Sequence, residues 1–173
     1  VIVHGVPTNR KLENRDVLKL DLGVIYEKFY SDSAITVAIG ESSTEVKNLL
    51  KATELALSEG IKSAKAGNTL GDIGFAIQSV ASKFGVSVIR GLGGHGVGLD
   101  LHEEPFVDNM GESGKGFKLK EGMVLAIEPM FSLGSGKIKI LQDDSYATVD
   151  GSTSSQFEHT ILVTKSGGEV LTK

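Results

Sequence analysis

The sequence predicts an α+β fold in one domain that spans residues 1–173. Two helical signatures stand side by side in residues 43–85, and strand-like segments precede and follow them. No linker, low-complexity tract or internal repeat interrupts the chain, and its length suits a single domain. We therefore expect a mostly antiparallel sheet with two helices packed against it.

The strands of the N-terminal part are recognised by their β-branched and apolar composition. Residues 17–24 (VLKLDLGV) and 33–39 (SAITVAI) are short and rich in Val, Ile and Leu, which is typical of strands. The chain begins with the apolar run Val1-Ile2-Val3, which resembles the interior of a strand and not its start. From this opening we expect that upstream sequence is missing and that the domain is truncated at its N-terminus.

Both helices are predicted from apolar periodicity and from residues that favour helix ends. Ser43 or Thr44 can cap the first helix, whose apolar residues recur at helical spacing and which ends before Gly67. The second helix begins near Thr69 and stops at Gly85, a residue type that favours the C-terminal cap.

After residue 85 the pattern changes to strands separated by glycine-rich turns. The predicted strands are residues 86–89, 97–101, 123–127, 137–141 and 156–164. Residues 108–118 (DNMGESGKGFK) are polar and glycine-rich, and we expect a loop there.

Composition excludes several classes of function. The net charge is −4 with both signs mixed along the chain, which argues against electrostatic binding of nucleic acids or of a membrane surface. No apolar run approaches the length of a membrane-spanning helix. The absence of Cys excludes disulfides and thiol nucleophiles and fits a cytoplasmic protein. Gly is abundant, with 22 residues, so the place where Gly clusters is informative.

Two carboxylates lie in the first pair of predicted strands. Asp21 interrupts an apolar strand, where a buried carboxylate needs a partner. If the strands form a hairpin centred between Tyr26 and Glu27, Asp21 and Asp32 face each other directly. Like charges at that distance repel, and a bound cation removes the conflict. The alternative is that one Asp is a solvated residue at a strand end.

The glycine cluster Gly91–Gly98 surrounds His95. Residues 91–96 match G-x-G-x-x-G, but the continuation lacks a helical pattern, so we reject a dinucleotide site. We interpret the cluster as a turn whose glycines allow close backbone approach and present the imidazole of His95. His102 follows at a spacing that allows two imidazoles near one site.

Two further carboxylates enter apolar strands, Glu128 after Met123–Ile127 and Glu158 before His159–Val163. Either could be a lone residue at a strand edge. Together with the residues above they complete a five-ligand set: Asp21, Asp32, His95, Glu128 and Glu158. Carboxylates with one imidazole suit divalent ions, and shared carboxylates suit two ions about 3.5–4 Å apart.

The ordered motifs resemble methionine aminopeptidases of the short type, which have the pita-bread metallopeptidase fold. The matching motifs cover essentially the whole chain and are, in order, His4-Gly5-Val6-Pro7, Asp21 with Asp32, Gly94–Gly98 through His102-Glu103-Glu104-Pro105, Ile127-Glu128-Pro129, and Ser155–Thr160. Each motif alone is weak, whereas the ordered set is specific. The resemblance implies a curved, mostly antiparallel sheet with helices packed on its outer face.

The resemblance also implies the chemistry. Asp21, Asp32, His95, Glu128 and Glu158 would bind two divalent ions (Co, Mn, Fe or Zn), with Asp32 and Glu158 as the bridging ligands. His102 would bind the scissile carbonyl region, Glu128 would move the proton, and His4 would lie on the leaving-residue side. The substrates would be the N-termini of nascent chains, from which initiator methionine is removed in the cytoplasm in association with the ribosome.

The sequence departs from that family in its substrate pocket. Only three residues precede His4, whereas the family carries a longer N-terminal segment that contributes to the methionine pocket. Leu101 stands where the family often has Phe, and Tyr146 stands roughly where it often has Trp. We expect His4, Leu101 and Tyr146 to contribute to this pocket.

Two alternative functions remain open. An Xaa-Pro aminopeptidase would use the same chemistry, and the Ser31-Asp32 pair resembles that group, although Ile35 stands before Thr36 where Arg is usual. A pita-bread binding module without catalysis belongs to a different class. The retention of metal-binding residue types at all five ligand positions argues against it.

Overall fold

Twelve strands and two helices make up the protein, and the computed structural model describes all residues from Val1 to Lys173. In chain order the elements of the first half are β1 (Val17–Tyr26), β2 (Phe29–Ala38), α1 (Thr44–Ser63), α2 (Leu70–Phe84) and β3 (Ser87–Val88). Those of the second half are β4 (Gly93–Gly96), β5 (Glu103–Asp108), β6 (Val124–Ile127), β7 (Met130–Ser132), β8 (Ile138–Ile140), β9 (Tyr146–Thr148), β10 (Ser154–Gln156), β11 (Glu158–Val163) and β12 (Gly168–Val170).

One seven-stranded sheet organises the fold. Its order is β1-β2-β11-β6-β4-β5, with β12 paired to β11, and every pairing in it is antiparallel. Two small sheets, β10-β7-β3 and β8-β9, accompany it. The predicted α+β class with a mostly antiparallel sheet is confirmed.

Both helices pack on one face of the main sheet. The largest hydrophobic core joins Leu49 of α1 and Ile77 of α2 to Ile127 of β6 and Ile161 of β11, all of which are fully buried. This face is therefore dry, and polar side chains that alternate with these residues project to the opposite face. No helix of the structure combines the length and the apolar character needed to cross a membrane.

The predicted helix ends are confirmed by their hydrogen bonds. Ser43 precedes α1 and its side chain accepts from the backbone N–H of Val46. Thr69 precedes α2 in a capping box with Asp72, and Gly85 ends α2 in the left-handed conformation (φ 67°). Helix ends were readable because capping depends on local chemistry.

The hairpin of β1 and β2 has a different register from the one expected. Asp21 lies opposite Ala34 and Asp32 lies opposite Gly23, so the two Asp residues are diagonal neighbours and do not face each other directly. The turn residues are Glu27 and Lys28, both with positive φ (47° and 76°). Such a two-residue turn normally contains Asn or Gly, so its position was not readable. The shift equals two residues along β2, which keeps both carboxylates on the same face.

Two other strand predictions were wrong. Residues 97–101 form bends instead of a strand, because the Glu103 carboxylate accepts hydrogen bonds from the backbone N–H groups of Leu99 (2.6 Å) and Asp100 (2.9 Å). Residues Val1–Val3 are not a strand, although Ile2 donates to the carbonyl of Tyr146 and Tyr146 donates to that of Val3.

The remaining strand predictions were confirmed within one or two residues at β1, β3, β6, β8 and β11. Strand β2 was also predicted, but it begins at Phe29, four residues before the predicted start. Strands β4, β5, β7, β9, β10 and β12 were not predicted from the sequence. Most of these are three residues long, and β5 contains Pro105, a residue type that weakens a strand pattern.

One apolar surface stays uncovered on the helix side of the sheet. The β1–β2 hairpin carries there a row of exposed large apolar side chains, which we call the hairpin stripe. Its members are Leu20, Leu22, Val24, Tyr26, Phe29 and Ile35. Neither β1 nor β2 contributes to the core beneath the helices.

Candidate metal centre

The strand register brings the five predicted ligands to the face of the sheet opposite the helices. Asp21 and Asp32 are diagonal neighbours in the hairpin, and Glu158 pairs with Ala34, two residues from Asp32. His95 pairs with Ala126, and Glu128 follows the last residue of β6. Asp21 is exposed, whereas the other four ligands are buried.

The potential ligand atoms form three overlapping groups, each with its atoms within 4.8 Å of one another. One group contains Asp21, Asp32 and Glu158, a second contains His95, Glu128 and Glu158, and a third joins Asp32 and His95 to His102. The first two groups together contain all five predicted ligands, and Glu158 belongs to both. This arrangement can hold two neighbouring cations with Glu158 shared between them.

His95 is oriented for metal binding by its own strand. Its Nδ1 lies 2.9 Å from the carbonyl oxygen of Gly96, which accepts only, so Nδ1 carries the proton and Nε2 keeps its lone pair. Nε2 lies 3.6 Å from Glu128 Oε1 and 3.9 Å from Asp32 Oδ2. Burial is the main cause that lowers the pKa of His95, which favours the neutral imidazole that a metal requires.

Strand β4, and not the expected turn, presents this imidazole. A Cβ at Gly94 would overlap the Ala126 carbonyl oxygen of β6, and one at Gly96 would overlap the Glu104 carbonyl oxygen of β5. The close approach expected from the glycine cluster is thus present, but between paired strands. Glycine removes the side chains that would push β4 away from its two neighbours.

The carboxylates of the centre oppose one another electrostatically. Burial, followed by the charges of Asp21 and Asp32, raises the pKa of Glu128 well above its usual value. Burial and then the charge of Glu128 raise the pKa of Glu158. Burial and the charge of Asp32 raise the pKa of Asp21, whereas a hydrogen bond from Gln156 and the charges of His4 and His102 lower it. A cation would relieve this conflict.

The predicted ligands form hydrogen bonds with polar residues that were not predicted from the sequence. Gln156 Nε2 lies 3.2 Å from Glu128 Oε2 and 3.4 Å from Asp21 Oδ2, so one amide bridges two ligands. The hydroxyl of Thr160 accepts from the backbone N–H of Asp32, and Asn109 donates to the carbonyl of Glu128. The alternation 156, 158, 160 could have indicated that Gln156 and Thr160 share the face of Glu158.

A cavity of about 1210 Å³ opens over the five ligands. His102 borders it with its ring 4.3 Å from that of His95, and His4 and Leu101 also line it. Tyr146 does not line the cavity. Instead it lies against His4, edge to face with the ring centroids 5.6 Å apart.

The residues present fit divalent cations. Glu158 Oε1 is buried without a hydrogen-bond partner, and so is Gln156 Oε1. A buried carboxylate oxygen without a donor is costly, and coordination to a cation satisfies it. Four carboxylates with one imidazole are a donor set suited to hard or borderline divalent ions.

Comparison with known proteins agrees with this chemistry. The sequence model of the family described as "Metallopeptidase family M24" matches residues 1–165. A methionine aminopeptidase of Bacillus subtilis (strain 168) is 43% identical over 173 residues, which cover 99% of this chain and 70% of that protein.

Solved structures extend the comparison to the fold. The crystal structure of a methionine aminopeptidase from Thermotoga maritima superposes with a TM-score of 0.96 at 42% identity, over 99% of this chain and 70% of that one. A prolidase from Pyrococcus horikoshii OT3 reaches a TM-score of 0.78 at 29% identity, over 98% of this chain and 44% of the other.

Proposed function

This chain belongs to metallopeptidase family M24, and on that premise we propose that it is a metal-dependent aminopeptidase that removes initiator methionine from nascent proteins. Its fold is the pita-bread fold, a curved antiparallel sheet with helices on the outer face. The observation that carries the proposal is the complete ligand set, which two overlapping groups bring together in a fold with a TM-score of 0.96 to a methionine aminopeptidase.

The cofactor that we propose is a pair of divalent ions of Mn, Fe, Co or Zn. Asp21, Asp32 and Glu158 would hold one ion, and His95, Glu128 and Glu158 the other. Asp32, whose Oδ2 lies 3.9 Å from Nε2 of His95, would be the second shared ligand beside Glu158. When bound, such ions supply Lewis acidity and make water acidic enough to react near neutral pH.

The side chains around the ligands have separate roles in peptide hydrolysis. His102 borders the cavity beside His95, where its imidazole can donate to the scissile carbonyl oxygen as negative charge develops there. Glu128 Oε1 is the atom that we assign to proton transfer, from the attacking water to the leaving amine. His4 also lines this cavity, and we assign it to the leaving-residue side of the substrate.

Leu101 and His4 line the cavity, and we propose that they contribute to the pocket for the methionine side chain. Tyr146 acts there through His4, which it contacts edge to face. The natural substrates are the N-termini of newly made proteins, so we propose that the enzyme works in the cytoplasm close to the ribosome.

Peptide hydrolysis by the metal-loaded protein tests the proposal. We expect cleavage of Met-Ala-Ser, no cleavage of its N-acetylated form, and little cleavage of Ala-Pro-Ser. Preferred cleavage of Ala-Pro-Ser would favour the Xaa-Pro aminopeptidase, which the prolidase likeness at a TM-score of 0.78 keeps as the second candidate. Two bound ions, seen by anomalous scattering, without any cleavage would instead indicate a binding module.

A further inference from the structure

Lys19 is a cation inside the cavity that the mechanism above does not use. It lies on β1 two residues before Asp21, so both side chains project to the same face of the sheet. It also lines the cavity that contains the ligand cluster. A charged side chain at this place needs a partner, either in the protein or in the substrate.

The partner of Lys19 is a backbone carbonyl instead of a carboxylate. Its Nζ donates to the carbonyl oxygen of Val1 at 3.1 Å, and no acidic side chain lies within ion-pair distance of it. This hydrogen bond is exposed, and its charged donor makes it stronger than a hydrogen bond between neutral groups.

The segment that receives this hydrogen bond carries His4. Residues 1–3 are held on their other side by Tyr146, which exchanges backbone hydrogen bonds with Ile2 and Val3. Ile2 is almost fully buried, and the ring of His4 rests edge to face on that of Tyr146. His4 lies close enough to Asp21 for its charge to act on that carboxyl.

Lys19 and Tyr146 therefore both form hydrogen bonds to residues 1–3, from two sides. Tyr146 fixes this segment to the β8–β9 sheet, whereas Lys19 fixes it to β1, the strand that carries Asp21. Without Lys19, the segment would keep its tie to residue 146 but lose its hydrogen bond to the ligand-bearing strand. The distance between His4 and the metal ligands would then no longer be set by a direct contact.

We propose that Lys19 is a positioning residue, whose ammonium ties the Val1 carbonyl to β1 and so holds His4 at the reacting end of the cavity. The proposal rests on the proposed function, because it assumes that His4 contacts the peptide substrate. Lys19 itself touches neither substrate nor metal ligand in this role. Its effect must pass through His4.

A double-mutant cycle tests this dependence. We expect Lys19→Met to lower kcat/KM for Met-Ala-Ser about tenfold, as loss of a residue that orients a functional side chain commonly does. His4→Ala should lower it at least as much, and adding Lys19→Met to His4→Ala should change little further. Lys19→Arg, which keeps a cation, should restore part of the loss. Lys11→Met is the matched control, because Lys11 is exposed and has no ion pair.

A second measurement is independent of activity. The chain has four His, so their imidazole proton signals can be assigned in the NMR spectrum by single substitutions. In Lys19→Met the signal of His4 should shift or broaden, whereas that of His159, which is held by Thr172 on the helix side, should stay in place. Lys19→Gln, a neutral side chain that still donates a hydrogen bond, should fall between the wild type and Lys19→Met.

Each outcome decides a different point. Additive losses in the cycle, or a His4 signal that ignores Lys19→Met, would overturn the positioning role. Failure of the wild-type protein to cleave Met-Ala-Ser would overturn the proposed function alone, since the NMR comparison still tests whether Lys19 holds His4.

Discussion

Glu158 stands on β11 with one carboxylate oxygen, Oε1, buried and without a hydrogen-bond partner. Burial and the neighbouring charge of Glu128 raise its pKa, so the ionised form is strained when no cation is present. The same residue belongs to both ligand groups. If the proposed metal centre is correct, this one side chain links the stability of the metal-free protein to its affinity for ions.

The substitution Glu158→Gln should separate these two effects. Ion affinity should fall by at least about 100-fold, measured by calorimetric titration with Mn²⁺ or Co²⁺. In EDTA at pH 7 the variant should be more stable than the wild type by about 1–3 kcal/mol, measured by urea unfolding. The reason is that the folded wild type must either bury a charge or bind a proton that the unfolded chain does not hold, whereas the amide requires neither.

The sign of the pH dependence follows from the raised pKa. Below the ordinary value of 4.5 the carboxyl is neutral in both the folded and unfolded states, so the stability advantage of Glu158→Gln should vanish there and grow as the pH rises. Glu169→Gln, which removes an exposed carboxylate, is the control. Metal affinity that survives Glu158→Gln would contradict the ligand assignment.

At the scale of elements, Asp72 ties the start of α2 to the glycine-rich loop after β5. Its Oδ2 accepts from the Thr69 backbone N–H at 2.8 Å, and its Oδ1 accepts from Ser113 and from the backbone of Gly114. The hydrogen bond from Ser113 is the largest of the causes that lower the pKa of Asp72 to about 2.

We expect Asp72→Asn to reduce the free energy of unfolding at pH 7 by about 1 kcal/mol. The carboxylate stabilises the fold at any pH above its ordinary pKa of 3.8, and this contribution is lost as the pH falls towards 2. The difference between wild type and variant should therefore shrink between pH 4 and pH 2 in thermal unfolding. Glu54→Gln, on the exposed side of α1, should show no such change; a constant difference would refute the cap.

The same elements show which structure is readable from sequence. Ser43, Thr69 and Gly85 mark helix ends through local hydrogen bonds and backbone conformation, so both helices were predicted closely. The face shared by Asp21 and Asp32 followed from strand periodicity alone. Their register did not, because the positive φ values of Glu27 and Lys28 are imposed by the hairpin.

Strand β4 could not be predicted from the sequence. Its residues, Gly-Gly-His-Gly, have almost no intrinsic preference for a strand, and pairing with β5 and β6 makes them one. Residues 97–101 have strand-like composition, yet the Glu103 carboxylate holds them in bends. For the site, the sequence indicated the five candidate ligands, which the structure brings together, but not Gln156, whose contacts are with two distant residues.

At the scale of the whole molecule, the hairpin stripe is an unusual feature of the protein surface, because its exposed apolar side chains are contiguous. Leu22 is 67% exposed, Tyr26 is 73% exposed and Phe29 is 63% exposed, and they lie on neighbouring strands. The outer edge of β1 also has no strand beside it. Apolar side chains next to an open strand edge favour association between molecules.

We expect Leu22→Lys to suppress concentration-dependent light scattering of the 173-residue chain and to reduce its binding of a hydrophobic dye such as ANS. The reason is that a charge in the centre of the stripe opposes apolar contact between molecules. Val149→Lys, at an exposed apolar residue in the turn after β9, should have little effect on either measurement. Equal effects of the two substitutions would show that the stripe has no special role.

The glycines of β4 also constrain how this protein can diverge. Gly94 and Gly96 lie so close to the carbonyl oxygens of Ala126 and Glu104 that any residue with a Cβ would push the strands apart. His95 stands between them and would move with the backbone. Substitutions in evolution can therefore alter the hairpin stripe, the loops or the cavity lining one residue at a time, whereas the imidazole of His95 keeps its position only as long as both glycines are kept.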